Sequence, residues 1–239
     1  KMFQHDLAAF ASYNLEDAQL VIDLFEIAGL WHFLPERAHL TGLSIDRTGG
    51  SSAAFNTVYM PRLHRKGYVA ASIGEQTLQL TSPGGFVMES QPGIYENVLV
   101  LDFKSLYPSI IKTFHVDPLG LIEGLAEADR IDEVKSDELH NDKLNREVSA
   151  EKTIVPNGPI PGFDGAYFSR DKHFLPAIIS RLWQARDQAK AEHNTPLSQA
   201  IKIIMNSFYG VMGTPGCRFF DPRLPSSITL RGHAIMNQT

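Results

Sequence analysis

The segment 174–210 limits the fold of this chain more than any other. Over 174–192 the apolar residues Ile178, Ile179, Leu182 and Trp183 recur on one side of a helix. His193-Asn194-Thr195-Pro196 then breaks the pattern, with Thr195 suited to cap a new helix and Pro196 to open it. The second helix is expected from Pro196 to about Tyr209, with Gly210 as its stop. Two helices joined by so short a break fold back on each other, so the segment reads as an antiparallel helical hairpin. Arg186 and Lys190 are four apart on the first helix, Lys202 and Asn206 four apart on the second, and Tyr209 returns to the face of Lys202. Three cations and an amide across one groove suit a triphosphate. Solvated surface for Arg186 and Lys190, with an intrahelical pair between Lys202 and Asn206, fits the same spacing.

Charge sharpens this picture once it is divided along the chain. The 239 residues carry 22 Lys+Arg against 27 Asp+Glu, a net charge of −5. Residues 123–151 hold ten acids and four bases, net −6, whereas 170–218 hold seven bases and three acids, net +4. A basic segment in an acidic chain points to a phosphate-bearing partner, with two solvated helical faces as the plainer alternative. Hydrophobic residues at 43% exclude a largely disordered chain. The one cysteine, Cys217, excludes an intrachain disulfide and favours a reducing compartment. No apolar run reaches the roughly 18–20 residues of a membrane-spanning helix, so no membrane partner is expected. Opening on Lys1-Met2-Phe3 without a signal peptide, the chain reads as a piece of something longer.

Residues 14–30 read as a helix, with Leu20, Val21, Leu24, Phe25 and Ala28 on one face, Asn14 as its cap and Gly29 as its end. A second helix is expected over 51–67, capped by Ser51 or Ser52, carrying Phe55, Val58 and Tyr59, and interrupted by Pro61. Residues 68–97 look like turns joining short strands. Val98-Leu99-Val100-Leu101 reads as a strand buried on both faces. Residues 123–165 read as an acidic, weakly helical stretch that becomes turn-rich, a peripheral insertion. Residues 211–239 suggest a short extended piece and the start of a helix. Asp102 follows the apolar run directly; a carboxylate at the end of a buried strand is costly unless paired, and a metal ion is the usual partner. A helix-capping aspartate is the alternative. Beyond it, Pro108 is expected to bend the chain and Ser109 to cap a helix, with the amides of the turn forming an anion-binding concavity.

Two strings decide between these alternatives. Asp102-Phe103-Lys104-Ser105-Leu106-Tyr107-Pro108-Ser109-Ile110-Ile111 resembles motif A of the family B DNA polymerases, and Lys202-Ile203-Ile204-Met205-Asn206-Ser207-Phe208-Tyr209-Gly210 resembles their motif B. Ser82-Pro83-Gly84-Gly85 stands where the family has a Tyr-x-Gly-Gly/Ala linker, with Ser82 in place of the tyrosine. Tyr13-Asn14-Leu15-Glu16-Asp17 is similar to the third motif of the family's 3′–5′ proofreading exonuclease. Cys217 to Arg223 and Ser226 to His233 look like the family's bacterial members, which disfavours a protein-primed viral polymerase.

The resemblance implies an α+β fold, a partial palm β-sheet with packed helices plus an antiparallel helical fingers hairpin. It divides the chain into the end of an exonuclease domain (1–40), a connecting segment (41–93), the first part of the palm (94–170, with the acidic insertion 123–163), the fingers hairpin (171–210) and the return to the palm (211–239). Asp102 and Lys202 are the implied catalytic residues, and Asp102 with the carbonyl of Phe103 the implied ligands of Mg²⁺, two ions serving the full-length site. Phe103, Ser105, Leu106, Tyr107, Arg186, Lys190, Lys202, Asn206, Tyr209 and Gly210 are the implied nucleotide contacts, with Tyr107 under the sugar. Gly84, Gly85, Thr229 and Gly232 are the implied DNA contacts. Tyr13 would orient the exonuclease water and Asp17 hold one of its metals. The implied partners are primer–template DNA, a dNTP and, through the full-length protein, a sliding clamp; the implied setting is the bacterial cytoplasm at the nucleoid, in DNA replication and repair. A DNA-binding or partner-binding module that keeps the motifs without catalysis is the other reading.

The family's second polymerase carboxylate lies in an Asp-Thr-Asp string, which this sequence lacks, and the first two acidic motifs of the exonuclease are absent too. A two-ion site with one of its aspartates cannot hold both ions well. The chain by itself is therefore expected to give neither primer extension nor single-strand degradation with Mg²⁺. Metal-dependent extension by the purified chain would contradict this.

Overall fold

The computed structural model describes residues 2–47, 50–74, 84–85, 87–141 and 157–239, with residue 2 and residues 134–141 described by backbone alone. Its elements are α1 (Met2–His5), α2 (Leu7–Ile27), α3 (Leu30–Thr41), a 3₁₀ turn (Ile45–Arg47), α4 (Ser51–Arg65), α5 (Leu106–Thr113), α6 (Pro118–Asn141), β1 (Ile160–Pro161), β2 (Tyr167–Phe168), α7 (Leu175–Ala191), α8 (Thr195–Met212) and α9 (Arg223–Gln238). Helices carry the fold, and the two short strands pair antiparallel, Ile160 with Phe168 and Pro161 with Tyr167.

The expected hairpin is present as α7 and α8, packed along each other. Asn194 rather than Thr195 caps α8, its side chain accepting from the Leu197 amide at 3.1 Å. The helix runs through Gly210 to Met212, because the buried side chains of Phe208, Val211 and Met212 hold its last turn in the core. A glycine weakens a helix interior by only about 1 kcal/mol, which such burial outweighs. Pro61 likewise fails to interrupt α4, where Phe55, Tyr59 and Leu63 are buried. Gly50 is the N-cap of that helix, ahead of Ser51 and Ser52.

The core is one cluster. Phe55, Tyr59, Phe208 and Phe219 form its aromatic centre, with ring centroids 4.7–5.7 Å apart in the contacting pairs. Ile110 and Ile111 of α5, Leu175 and Ile179 of α7, and Ile201, Ile204 and Met205 of α8 close around it. Arg231 of α9 lies over the rings of Phe114 and Phe163 at 4.3 and 5.1 Å, tying α9 to the residues after α5 and to the β-hairpin.

Further expectations are overturned. Val98 to Leu101 form no strand and are exposed, Val100 by 85%. A strand buried on both faces needs neighbouring strands, and among the described residues none runs beside this one. The helix expected over 14–30 begins earlier, at Leu7, with Asp6 as its cap; Asn14 instead donates to the Phe10 carbonyl inside the helix. Its expected apolar face is not buried: Leu20, Val21 and Leu24 are exposed. The described parts of 68–97 contain no strand, Ser82 and Pro83 lie outside the described residues, and so does 142–156 of the acidic stretch. The described start of that stretch is the ordered helix α6, whose Glu123 accepts from Tyr68 Oη at 2.8 Å and pairs with Lys172 Nζ at 2.6 Å.

Asp117 joins these parts. Its carboxylate is fully buried. Oδ1 accepts from Tyr59 Oη of α4 and from the Gly120 amide in the first turn of α6, each at 2.8 Å. Oδ2 accepts from the amides of Phe174 and Leu175 at the start of α7, at 2.9 and 2.7 Å. Burial pushes its pKa up, and the four donors oppose that. Asp117→Asn, whichever way its amide turns, leaves at least one buried N–H without an acceptor, at about 1–3 kcal/mol each. Urea unfolding is expected to show a loss of at least about 2 kcal/mol, with Tyr59→Phe losing less; equal stability of Asp117→Asn and the parent would refute the role.

Candidate active site

The site begins where the exposed run ends. Asp102 and Phe103 lead into Ser105, whose φ of 53° and ψ of 58° are left-handed. Ser105 is the N-cap of α5, but its side chain caps nothing. The first helical bond runs from Ser109 N to Ser105 O, and Pro108 has no N–H, so Leu106 and Tyr107 present the helix's unsatisfied amides. Pro108 and Ser109 thus lie inside the helix, not at a bend and its cap. A proline fits the first turn of a helix, and Ser109 Oγ donates back to the Lys104 carbonyl at 3.2 Å.

Motifs A and B meet through two rings. Tyr107 on α5 and Tyr209 on α8 lie with centroids 4.6 Å apart, tilted by 47°. Around them opens a cleft of about 580 Å³, lined by Gly85, Asp102, Phe103, Ser105, Leu106, Tyr107, Asn206, Tyr209, Thr229 and Gly232. Ten of the residues singled out in the sequence therefore share one cavity. Asp102 is exposed in it, without hydrogen bond or ion pair among the described residues. Thr229 Oγ1 is occupied within α9, donating toward the Pro225 and Ser226 carbonyls. Gly84 lies beside the cleft, its carbonyl 3.1 Å from His233 Nε2.

Other predicted residues stand apart. Lys202 is exposed one turn before Asn206, and Gly210 is exposed just past Tyr209, outside the cleft lining. Arg186 and Lys190 lie on α7, also outside that lining; Lys190 is exposed and Arg186 Nε is buried without a hydrogen-bond partner. Tyr13 and Asp17 are one turn apart on the exposed helix α2. Sequence reasoning missed His233 and Met236, which line the cleft from α9. It also missed Asp117, although Asp117-Pro118 carries the cap-then-proline signature of a helix start.

The donor set admits one Mg²⁺ of the kind that arrives with phosphates. Mg²⁺ commonly takes one or two carboxylates and fills its remaining positions with water and phosphate oxygens. Asp102 and the Phe103 carbonyl meet that requirement. Among the described residues no group of three or more His, Cys, Asp or Glu side chains gathers to hold a metal alone.

A family model described as DNA polymerase family B matches residues 46–239. The chain belongs to that family. It is 52% identical to DNA polymerase II of Escherichia coli over 239 residues, covering all of this chain and 27% of that protein. It is 28% identical to a DNA polymerase of Thermococcus gorgonarius over 256 residues, covering 98% of this chain and 28% of that protein. The solved family B DNA polymerase of Pyrobaculum calidifontis shares the fold, with a TM-score of 0.62 and 22% identity over 94% of this chain and 28% of that one. The chain thus spans little more than a quarter of the length of these relatives.

Gly232 offers a test of how tightly the cleft wall is packed. A Cβ there would meet Ile110, Tyr107 and Leu106 at 3.7–3.8 Å, ordinary contact distances. Gly232→Ala is therefore expected to keep or raise stability by up to about 1 kcal/mol, as for a glycine inside a helix. A fall in Tm would show that the wall is tighter than this geometry.

Proposed function

We propose that this chain is the core of a DNA-directed DNA polymerase, adding dNTPs to a primer 3′ end under template direction. The observation that carries the reading is the convergence of motifs A and B on one cleft through Tyr107 and Tyr209. In this reading residues 1–40 end an exonuclease domain and 41–93 connect it to the palm. Residues 94–170 and 211–239 form the palm part, and 171–210 the fingers hairpin. Tyr13 and Asp17 belong to a proofreading site completed by other parts of the protein. A bacterial, nucleoid-associated setting and a sliding-clamp partner go with the same reading.

The chemistry follows from the cleft. The primer 3′-hydroxyl oxygen attacks the α-phosphorus in line and gives its proton to water; the new O–P bond forms, the bond from the α-phosphorus to the oxygen bridging it to the β-phosphorus breaks, and pyrophosphate leaves with that electron pair. Asp102 and the Phe103 carbonyl would hold Mg²⁺, which when bound neutralises phosphate charge and lowers the pKa of the attacking hydroxyl. The Leu106 and Tyr107 amides face the triphosphate oxygens. Tyr107 packs beneath the sugar, where a 2′-hydroxyl would collide with it, and Asn206 and Tyr209 floor the nascent pair. Gly84, Gly85, Thr229 and Gly232 form the wall along the DNA. Lys202, Arg186 and Lys190 join the phosphates when the hairpin swings inward, which excludes water and lets their charge act in the transition state. The Asp117 clasp at the start of α7 and the last turn of α8 are the ends about which such a lever turns, with the break before α8 at its tip.

Primer extension by the full-length protein with a primed template, dNTPs and Mg²⁺ tests the whole reading. DNA binding without extension would favour the module that keeps the motifs without catalysis. Within the reading, Lys202→Ala is expected to lower kcat/KM for a dNTP by at least about tenfold, or ~1.4 kcal/mol of transition-state stabilisation, with primer–template affinity nearly unchanged. Single-turnover incorporation at varied dNTP, paired with a DNA titration, checks this, and wild-type incorporation would remove Lys202 from the site. Tyr107→Ala is expected to raise the rNTP/dNTP ratio of kcat/KM; an unchanged ratio puts the sugar gate elsewhere.

A further inference from the structure

On the side of α7 turned away from Lys190 the molecule gathers four cations and no acid. The end of α4 brings Arg62, Arg65 and, one residue on, Lys66, and α7 brings Arg181. They line an open crevice of about 330 Å³ with Phe174, Ala177 and Ile178. Arg181 precedes Arg186 by five residues and Lys190 by nine, which turns it about 140° and 180° from them at 100° per residue. The crevice shares no lining residue with the cleft that holds Asp102.

Helix polarity accounts for part of the cluster, since cations at the C-terminus of α4 complement its dipole. It does not account for Arg181, which sits in mid-helix and comes from another element. Burial, and after it the charges of Arg181 and Arg65, pull the Arg62 guanidinium below the ordinary arginine range. Arg62 donates to the Val58 carbonyl of its own helix. Among the described residues no carboxylate pairs with Arg62, Arg65, Lys66 or Arg181. Like charges brought together, with Arg62 partly buried among them, oppose folding, and beyond the dipole of α4 nothing among the described residues offsets them. An anion in the crevice does.

We propose that this crevice binds the phosphate backbone of a single nucleic-acid strand, the unpaired template beyond the growing end. The proposal rests on the polymerase reading above. Three guanidinium forks match phosphate oxygens better than point charges do. Four cations spread over two elements offer a polymer several phosphate contacts at once. It lies between the end of α4 and α7, and its apolar side of Phe174, Ala177 and Ile178 suits the sugars and unpaired bases of one strand, as in other single-strand grooves. Because Arg181 rides on α7, a strand held here is held against the base of the hairpin.

The test uses the full-length protein and two fluorescein-labelled primer–templates that differ only in their 5′ template overhang, about 12 nucleotides against one. The double variant Arg65→Gln/Arg181→Gln is expected to bind the long-overhang probe about tenfold more weakly. The slope of log K against log[salt] should fall by about 1.4, for two phosphate contacts on a single strand. Affinity for the short-overhang probe and single-nucleotide incorporation on it should stay within about twofold of the parent. Arg65→Lys/Arg181→Lys is expected to restore most of the salt slope, and Lys66→Gln alone, at an exposed position, to give a smaller overhang-specific loss if the double variant folds poorly. Equal loss on both probes, or loss on neither, overturns the proposal. So does tripolyphosphate binding that disappears in the variant while overhang binding survives, which would assign the crevice to free polyphosphate. Failure of the parent protein to extend any primer, with overhang-dependent binding intact, would overturn the polymerase reading and leave the strand site standing.

Discussion

The buried carboxylate of Asp117 is the interaction on which the arrangement of this chain depends. Four donors from three helices end on it: a tyrosine hydroxyl from α4, an amide from the first turn of α6 and two amides from the start of α7. Two helix N-termini thus point their positive ends at one negative charge, which makes its burial tolerable. Tyr59 extends the clasp, since its oxygen also accepts from the Leu119 amide at 3.1 Å. The geometry fixes where the hairpin leaves the body of the molecule. It also fixes the face of α7 that lines the cationic crevice.

From this anchor the packing follows by layers. Leu175 and Ile179 of α7 sit in the core immediately beyond the clasp, and α8 returns along them with Ile201, Ile204, Met205 and Phe208 buried. That return brings Tyr209 onto Tyr107. A cleft built from segments about a hundred residues apart is thereby held by contacts that are mostly apolar, leaving the Asp102 carboxylate and the Leu106 and Tyr107 amides unspent.

Much of this was legible in the sequence. The hairpin showed itself by its helical period and its break, because both depend on residues within a few positions of each other. Seven of the ten predicted cleft residues were found through the resemblance of the strings 102–111 and 202–210 to family motifs, and Gly85, Thr229 and Gly232 through the resemblance of the shorter stretches 82–85 and 226–233. What the sequence misled about needed distant partners. Val98 to Leu101 have the composition of a buried strand, but pairing is a property of neighbours, and among the described residues they have none. Leu20, Val21 and Leu24 have a helix's period, but among the described residues no element covers them. Gly210 and Pro61 read as breakers because local propensity was weighed without the burial of Phe208, Val211 and Leu63 that overrides it.

Asp102 and Asp117 show how environment divides the work of one residue type. Both stand just before a helix, where an aspartate normally caps. Asp117 is buried with both of its oxygens doubly engaged, so nothing of its hydrogen-bonding capacity is left for a ligand. Asp102 lies three residues too early to cap α5, whose N-cap is Ser105. Its carboxylate is left in the cleft with every lone pair open, beside amides that α5 cannot satisfy internally. A bare carboxylate next to bare amides repels the same anion that the amides attract. A cation between them removes the conflict. In the proposed reading the two halves of the cleft become compatible when an anionic substrate and its counter-ion enter together, as a nucleoside triphosphate with Mg²⁺ would.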